Sequence, residues 1–324
     1  MRTAVVTGAA GFIGSHTARA LLARFDKVIG LDNLNDYYDP ARKRANIEAI
    51  QNSSGAPENF EFVEGDIREA DLVAELFARQ GVSVVVHLAA MAGVRVSIER
   101  PTLYYDVNVM GTLNVLNAAR DKSVANVVLA STSSVYGRTN LVPFVETDPC
   151  DRPLSPYAAS KRASEMMAFT YNHLFGVNVT ALRFFTVYGP RGRPDMMAYK
   201  VLSNIFAGTE VPIYNSGQMH RDWTYIDDIV SGIVAASERP LGFEIINLGR
   251  GEPVLLADFI KTIEAVTGKT ANLTPAPMPD ADVPFTFADT SKARALLGYD
   301  PKISVREGVE RFWIWYQSHV LVHA

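Results

Sequence analysis

A tyrosine and a lysine four positions apart, Tyr157 and Lys161, are the residues of this sequence best suited to proton transfer. Residues at this spacing share one face of a helix, so the lysine ammonium is expected beside the phenol. There it favours the ionised phenol and lowers the tyrosine pKa from about 10 toward the working pH. The spacing therefore predicts that Tyr157 is a general base and that Lys161 activates it.

A cluster of hydroxyl side chains, Thr132, Ser133 and Ser134, follows the apolar segment Ala125–Ser131, which we expect to be a strand. Parallel sheets with helices on both faces bind ligands at the carboxyl ends of their strands. We therefore predict that Thr132 hydrogen-bonds the same substrate hydroxyl that Tyr157 deprotonates. The alternative interpretation is a hydroxyl-rich turn that caps its own backbone.

Glycines at positions 8, 11 and 14 follow the first apolar run of the chain and precede the helical pattern of Ser15–Leu22. Gly8 permits a sharp turn from strand to helix, Gly11 lets the backbone approach a pyrophosphate, and Gly14 lets helix and strand pack closely. The N–H groups at a helix N-terminus suit phosphate oxygens. The pattern predicts a dinucleotide site that also includes Phe12 and Ile13; a plain surface turn is the alternative.

An aspartate, Asp32, ends the second predicted strand, Lys27–Leu31. A carboxylate at this position accepts hydrogen bonds from the ribose hydroxyls of adenosine and repels a 2′-phosphate. The sequence therefore favours NAD over NADP. The alternative is a solvated aspartate at the end of a strand.

Strand-like and helix-like patterns alternate through the first half of the chain, which indicates a doubly wound parallel sheet of the Rossmann type, an α/β fold. The insert Asn33–Gly55 is longer than a plain connection and is expected to close over the cofactor. Further strands are predicted at 60–64, 83–88, 125–131 and 177–185, and helices at 40–51, 69–79, 103–122 and 157–175.

After about Tyr188 the sequence is richer in proline and glycine and its predicted helices are shorter. We predict a smaller C-terminal α/β lobe that binds substrate, so that the domains are 1–188 and 189–324 with some chain crossing between them. The helices expected in this lobe are 196–207, 226–238, 256–267 and 305–321.

The composition excludes several classes of protein. A net charge of −4 without a basic block argues against nucleic acid as a partner. The single cysteine, Cys150, leaves no intramolecular disulfide and fits a reducing cytoplasm. No apolar run reaches membrane-spanning length, and the histidines are not spaced as metal ligands. We therefore expect a cytoplasmic protein without a metal site or membrane contact.

These motifs together resemble the extended short-chain dehydrogenase/reductase family, and the resemblance covers essentially the whole chain. More narrowly, the sequence is similar to UDP-glucuronate 4-epimerases and related nucleotide-uronate epimerases. The segments that carry the narrower similarity are Leu31–Asp39, Ala92–Arg95 and Arg183–Asp195. The resemblance implies NAD as cofactor, a UDP-sugar acid as substrate, and a homodimer that packs helices 103–122 and 157–175 against their symmetry mates.

The resemblance also implies roles for individual residues. Asp66 and Ile67 would contact adenine, and Asn33 would also bind the cofactor. Leu88, Ala89 and Ala90 would line the channel for the pyrophosphate and ribose, and Asn108 would support the site from the fourth helix. In the substrate half, Arg221 would hold the diphosphate and Asp282 the uridine ribose. Pro279 stands where some relatives place a second phosphate-binding arginine.

A substrate carboxylate needs a fixed cation or several hydroxyl donors. Arg193 is the first candidate, with Thr186, Ser133 and Ser134 near it in the expected fold and Arg95 as a further candidate. A salt bridge within the loop is the alternative for each arginine.

The expected reaction is epimerisation at carbon 4 of UDP-glucuronate, by which Tyr157 and NAD form a 4-keto intermediate. A 4,6-dehydratase would need an acid pair next to Thr132, and Ser133 and Ser134 cannot replace it. A UDP-glucuronate decarboxylase, a 4-epimerase of another UDP-sugar and a non-catalytic NAD-binding protein stay open as alternatives.

Overall fold

The computed structural model describes residues 1–323 and centres on a seven-stranded parallel sheet. Its strands lie in the order β3-β2-β1-β4-β5-β6-β10, so the connection direction reverses between β1 and β4. Most residues of these strands are buried, because helices cover both faces. The strands are β1 (Thr3–Thr7), β2 (Lys27–Asp32), β3 (Phe60–Glu64), β4 (Val82–His87), β5 (Asn126–Thr132), β6 (Val179–Phe184) and β10 (Phe243–Leu248).

Helices connect these strands and lie close to the predicted positions. The predicted helix 103–122 is a run of three segments: α6 (Pro101–Tyr105), a π-helical stretch (Asp106–Gly111) and α7 (Thr112–Asp121). The helices of this half are α1 (Phe12–Leu21), α2 (Pro40–Gln51), α3 (Ala56–Asn59), α4 (Ala70–Phe77), α5 (Val94–Glu99), α6 (Pro101–Tyr105), α7 (Thr112–Asp121) and α8 (Pro156–Phe175).

Helix α8, which carries Tyr157 and Lys161, has a well-defined start and end. The Ser155 hydroxyl accepts a hydrogen bond from the Ala158 N–H, and Pro156 occupies the first helical position. Gly176 ends the helix in the left-handed conformation, with φ of 67°. The sequence around the helix therefore determines its register, and the register places the tyrosine and the lysine on one face.

The second half forms two small sheets beside the large one. They contain β7 (Thr186–Tyr188), β8 (Glu210–Tyr214), β9 (His220–Tyr225), β11 (Pro253–Leu255) and β12 (Asn272–Ala276), in the orders β11-β9-β7 and β12-β8. The helices are α9 (Met197–Ala207), α10 (Ile226–Ser237), α11 (Leu256–Thr267), α12 (Ser291–Leu297) and α13 (Val305–His319).

The chain crosses the predicted domain boundary in both directions. β10 returns to pair with β6 in the large sheet, and α10 packs against α1. In the other direction β7, which precedes residue 189, pairs with β9 of the second half. The division into 1–188 and 189–324 stays a prediction. Among residues 1–323, no helix has the length and apolar character needed to cross a membrane.

Candidate active site

The carboxyl ends of the parallel strands bring the predicted residues to one edge of the sheet. Thr7 of β1 lies opposite both Leu31 and His87, and Thr132 of β5 lies opposite Phe184. Two cavities open along this edge. The first cavity runs over the glycine turn and α1, and the second lies between Tyr157 and the second half of the chain.

The first cavity contains nearly all residues predicted to bind the cofactor. Its walls include Gly8, Gly11, Phe12, Ile13, Gly14, Asp32, Asn33, Asp66, Ile67, Leu88, Ala89, Ala90, Tyr157 and Lys161.

Two of the glycines are required by the packing of the turn. Gly8 has φ of 73°, and a Cβ there would lie 2.7 Å from the Ala89 nitrogen. A Cβ at Gly14 would lie 1.9 Å from the Gly8 oxygen. The turn thus presents bare backbone at the start of α1, which is the arrangement that admits a pyrophosphate.

Asp32 is buried and holds the turn in place. One carboxylate oxygen accepts from the Ala10 N–H at 3.1 Å and the other from the Leu34 N–H at 2.9 Å. Burial raises the pKa of this carboxyl, and the charge of Lys43 opposes the shift. Each oxygen keeps a free lone pair for a ribose hydroxyl, so the residues present fit a dinucleotide with an unmodified ribose.

Asp66 is held in place by two neighbours. Asn33 Nδ2 donates to its Oδ2 at 2.8 Å, and Arg68 forms two side-chain hydrogen bonds with it. Although partial burial raises the pKa of Asp66, these hydrogen bonds lower it to about 2. The carboxylate is therefore a fixed, ionised acceptor at the end of the first cavity.

Asn108 supports the site without lining the first cavity. It is fully buried, and its amide forms hydrogen bonds with both backbone groups of Met91 and with the Ser160 hydroxyl. Because all of these contacts are internal, Asn108 does not line the first cavity. It ties the segment after β4 to α8 and supports the cofactor residues from behind.

The insert 33–55 contributes residues that the sequence analysis did not identify. Asn35, Tyr37, Tyr38 and Lys43 line the first cavity, and Lys43 Nζ donates to Asn35 Oδ1 at 2.8 Å. The insert is anchored by Asn46, which donates to the Ala10 oxygen at 2.8 Å. Its unusual length was the available signal, and it predicted coverage of the cofactor without indicating which side chains provide it.

Tyr157 lies where the two cavities meet, and it lines both. Burial raises its pKa, while the adjacent Thr132 hydroxyl and the positive charge of Arg193 oppose the shift. Burial also lowers the pKa of Lys161 to about 8, partly offset by Glu165. The expected lowering of the Tyr157 pKa by Lys161 is not seen, because the loss of hydration dominates both groups.

The second cavity collects all residues predicted to bind substrate: Arg95, Thr132, Ser133, Ser134, Thr186, Arg193, Arg221 and Asp282. These residues divide into two groups. Arg95 donates to the Tyr214 hydroxyl at 2.6 Å and lies 3.7 Å from Asp282. Burial lowers the pKa of Arg221, and the negative charge of the same Asp282 opposes this shift.

The other group surrounds Tyr157. Thr132 Oγ1 accepts from the Ser134 N–H and donates to its hydroxyl, so the hydroxyl cluster also caps its own turn. Arg193 is paired with Asp195 within its own loop. Both alternatives, a self-capping turn and a salt bridge within the loop, therefore describe these residues, and their side chains still line the second cavity.

No group of histidine, cysteine, aspartate or glutamate side chains within residues 1–323 has the arrangement of a metal site. His87 is buried and contacts the hydroxyls of Thr7 at 2.7 Å and Thr112 at 3.1 Å. Burial lowers its pKa to about 3, so it is a neutral structural residue behind Leu88.

A parallel sheet with a glycine turn, a strand-end aspartate and a Tyr-x-x-x-Lys helix defines a nucleotide-binding enzyme of the short-chain dehydrogenase/reductase type. Residues 4–249 match the NAD dependent epimerase/dehydratase family, and the chain belongs to this family.

Comparison with individual proteins narrows the similarity. The chain is 43% identical to UDP-glucuronate 4-epimerase of Thermodesulfobacterium geofontis, over 98% of this chain and 96% of that protein. The crystal structure of UDP-glucuronic acid 4-epimerase from Bacillus cereus with UDP-glucuronic acid and NAD matches with a TM-score of 0.89 and 34% identity, covering 98% of this chain and 99% of the other.

A dehydratase matches the fold equally well. The dTDP-glucose 4,6-dehydratase DesIV from Streptomyces venezuelae, crystallised with NAD, has a TM-score of 0.89 and 32% identity, with coverage of 98% and 97%. The backbone therefore does not separate the two reactions, and the side chains next to Thr132 must.

Proposed function

We propose that this protein is an NAD-dependent UDP-glucuronate 4-epimerase, which interconverts UDP-glucuronate and UDP-galacturonate through a 4-keto intermediate. The observation that carries the proposal is the composition of the second cavity. It places a cation, Arg193, and the hydroxyls of Ser133, Ser134 and Thr186 in the same cavity as Tyr157. Relatives at 41–43% identity with the same name support the choice of substrate.

Tyr157 accepts the proton of the 4-hydroxyl, and Thr132 hydrogen-bonds the same oxygen. NAD, held by the residues of the first cavity, would supply the hydride acceptor for carbon 4 and the hydride donor for the other face of the sugar. Lys161 would hold the nicotinamide ribose, and its positive charge one helical turn from Tyr157 would favour the ionised phenol together with Thr132 and Arg193. No net oxidation occurs, so one bound cofactor serves many turnovers.

The group formed by Arg95, Arg221 and Asp282 binds the nucleotide. Two guanidinium groups near one carboxylate suit a diphosphate next to a ribose. Because Arg95 lies beside Asp282 and Tyr214, we assign it to this end and not to the uronate carboxylate. Arg95 also supplies a cation in a chain that has Pro279 where, by the family resemblance, some relatives place a phosphate-binding arginine.

Arg193 and the hydroxyls of Ser133, Ser134 and Thr186 bind the carboxylate. The 4-keto uronate is a β-keto acid, and it loses carbon dioxide most easily when the breaking bond is perpendicular to the carbonyl plane. Contacts to both carboxylate oxygens hold the group away from that geometry. We propose that this clamp separates epimerisation from decarboxylation.

Ser133 and Ser134 argue against the dehydratase reaction, because serine hydroxyls do not exchange protons with carbon 5 near neutral pH. Decarboxylation is the second candidate, since it needs the same 4-keto intermediate. A 4-epimerase of a neutral UDP-sugar would have no use for Arg193.

The test is proton NMR of the purified protein with UDP-glucuronate and no added cofactor. We expect the anomeric signal of UDP-galacturonate to grow to a constant ratio. A UDP-pentose with release of carbon dioxide would identify a decarboxylase. If no UDP-sugar reacts, with NAD added or without it, the protein is a non-catalytic NAD-binding protein.

We also propose a homodimer in the cytoplasm. Four large apolar side chains are exposed on neighbouring helical segments: Tyr105, Met110, Met166 and Phe169. These segments are α6, the π-helical stretch and α8, and two-fold pairing would cover them. Light scattering at micromolar concentration is expected to give twice 35.5 kDa. Phe169→Glu should then give the mass of one chain, whereas a monomeric wild type would contradict the proposal.

The buried free thiol of Cys150 supports the cytoplasmic location.

A further inference from the structure

Arg193, which lines both cavities, forms a two-point ion pair with Asp195, which lines the second. Arg193 Nε donates to Asp195 Oδ1 and Nη2 to Oδ2, each at 2.9 Å. This parallel arrangement fixes the plane of the guanidinium as well as its position. The pair lies at the cavity surface, with 21% of the Arg193 side chain and 37% of the Asp195 side chain exposed.

The pair leaves one end of the guanidinium free. Nη2 also contacts Met196 Sδ at 3.5 Å, whereas Nη1 forms no hydrogen bond with any residue of the described part of the chain. An arginine can bind one carboxylate along its Nε–Nη2 edge and a second through Nη1. Asp195 therefore occupies one edge and leaves the other available to a ligand.

Tyr37 connects this pair to the cofactor side. Its hydroxyl donates to Asp195 Oδ2 at 3.4 Å, and its ring centroid lies 5.8 Å from the Arg193 guanidinium carbon. Tyr37 lines both cavities, and its own N–H donates to Asn35 Oδ1. The Arg193–Asp195 pair in the second cavity is thus linked by hydrogen bonds to the insert 33–55, which also lines the first cavity.

We propose that Asp195 is a positioning residue that holds Arg193 with its Nη1 end toward the substrate carboxylate, and so sets the preference for an acidic over a neutral sugar. This inference rests on the proposed uronate substrate. An unpaired arginine on a loop would sample many rotamers, and ordering it would weaken substrate binding. Asp195 holds the side chain in place before the substrate arrives, and its exposure lets it remain ionised while a second carboxylate binds nearby.

The test compares Asp195→Asn, Arg193→Ala and the double variant, with kcat and KM measured separately for UDP-glucuronate and UDP-glucose. Asp195→Asn keeps the size of the side chain and removes its charge. We expect kcat/KM for UDP-glucuronate to fall about three- to tenfold, mainly through KM, because the pair is partly exposed. The value for UDP-glucose should change less than twofold.

The double variant separates positioning from a general structural effect. If Asp195 acts through Arg193, the double variant should be no worse than Arg193→Ala alone. Additive losses, equal losses for both sugars, or tighter binding of UDP-glucuronate by Asp195→Asn would each overturn the proposal. Tighter binding would mean that Asp195 competes with the substrate for Arg193.

Tyr37→Phe provides a second variant that does not depend on the folding of Asp195→Asn. It removes the hydroxyl that donates to Asp195, and we expect a smaller loss in the same direction. An effect of Tyr37→Phe on UDP-glucose that equals its effect on UDP-glucuronate would contradict the proposed link. Failure of the wild type to turn over UDP-glucuronate would instead refute the proposed function. A loss of acid preference in Arg193→Ala but not in Asp195→Asn would refute the inference alone.

Discussion

Glu165 and Arg183 form an ion pair from which water is excluded. Arg183 donates from Nε and Nη2 to the two carboxylate oxygens at 2.8 and 2.9 Å, and neither side chain is exposed. Glu165 lies one helical turn beyond Lys161. Its carboxylate also accepts a hydrogen bond, at 2.6 Å, from the hydroxyl of Ser131, the residue before Thr132. The pair therefore joins α8, which carries Tyr157, to β6, and the Ser131 hydrogen bond joins Glu165 to β5, which ends in Thr132.

Glu165→Gln leaves Arg183 buried without a counterion, and we expect a loss of about 3–5 kcal/mol in the free energy of unfolding. Urea denaturation measures it. Lys261→Ala, which breaks the exposed pair with Asp258 at 3.1 Å, should cost less than about 1 kcal/mol. The double variant Glu165→Leu with Arg183→Met should recover part of the loss. A cost below 1 kcal/mol for Glu165→Gln would show that the buried pair contributes little.

Tyr157→Phe removes the proton-accepting oxygen and keeps the ring. We expect kcat to fall about a hundred- to ten-thousandfold while NAD remains bound, because general-base catalysis contributes this much. The matched control is Tyr104→Phe. The Tyr104 ring packs edge-on to Tyr157 at 6.2 Å, and its hydroxyl donates to the Ala92 oxygen. Activity of Tyr157→Phe within a few-fold of wild type would remove Tyr157 from the mechanism.

Arg193→Ala should weaken the use of UDP-glucuronate about ten- to a hundredfold more than that of UDP-glucose, because a charge-assisted hydrogen bond is lost. If the carboxylate clamp operates, the fraction of UDP-pentose in the product should also rise. Product partition by NMR measures both. A changed preference for UDP-glucuronate over UDP-glucose without extra UDP-pentose would support carboxylate binding by Arg193. It would contradict the proposal that the clamp suppresses decarboxylation.

Asp32 should make the protein selective for NAD over NADP, since its carboxylate repels a 2′-phosphate. Asp32→Asn keeps the size of the side chain but removes its charge and one of the two acceptors used by the Ala10 and Leu34 N–H groups, and we expect it to narrow the preference for NAD over NADP. The control is Asp36→Asn, which removes a carboxylate at an exposed position of the insert 33–55. Titration of cofactor-free protein with both dinucleotides tests this. Equal affinities in the wild type would contradict the assignment.

His87 should make stability fall as the pH is lowered. Its pKa lies near 3 in the folded protein and about 6.5 in the unfolded chain, so the unfolded chain alone gains a proton between these values. The folded state thus loses up to about 1.4 kcal/mol per pH unit below pH 6.5. His16, with a pKa lowered to about 4, contributes in the same direction. Urea denaturation at pH 7 and 5 should show a shallower loss for His87→Asn; an identical loss would assign the effect to other groups.

Much of the cofactor site follows from local sequence, because short-range sterics and periodicity act within a few residues. The glycine turn, the aspartate at the end of β2 and the register of α8 are of this kind. Strand-end positions then follow from the rule that parallel strands share an edge. This is why the residues predicted for the first cavity, apart from Asn108, do line it.

The sequence alone determined the class of enzyme, the cofactor and the residues that meet at the strand ends. The fold determined how those residues pair across long separations in the chain. In the fold, Asn108 hydrogen-bonds Met91 and Ser160, Arg95 lies beside Asp282, and Lys43 of the insert lines the first cavity. The raised pKa of Tyr157 belongs to the same category. Desolvation and charge pairing depend on the distances between all neighbouring groups, and no spacing along the chain contains those distances.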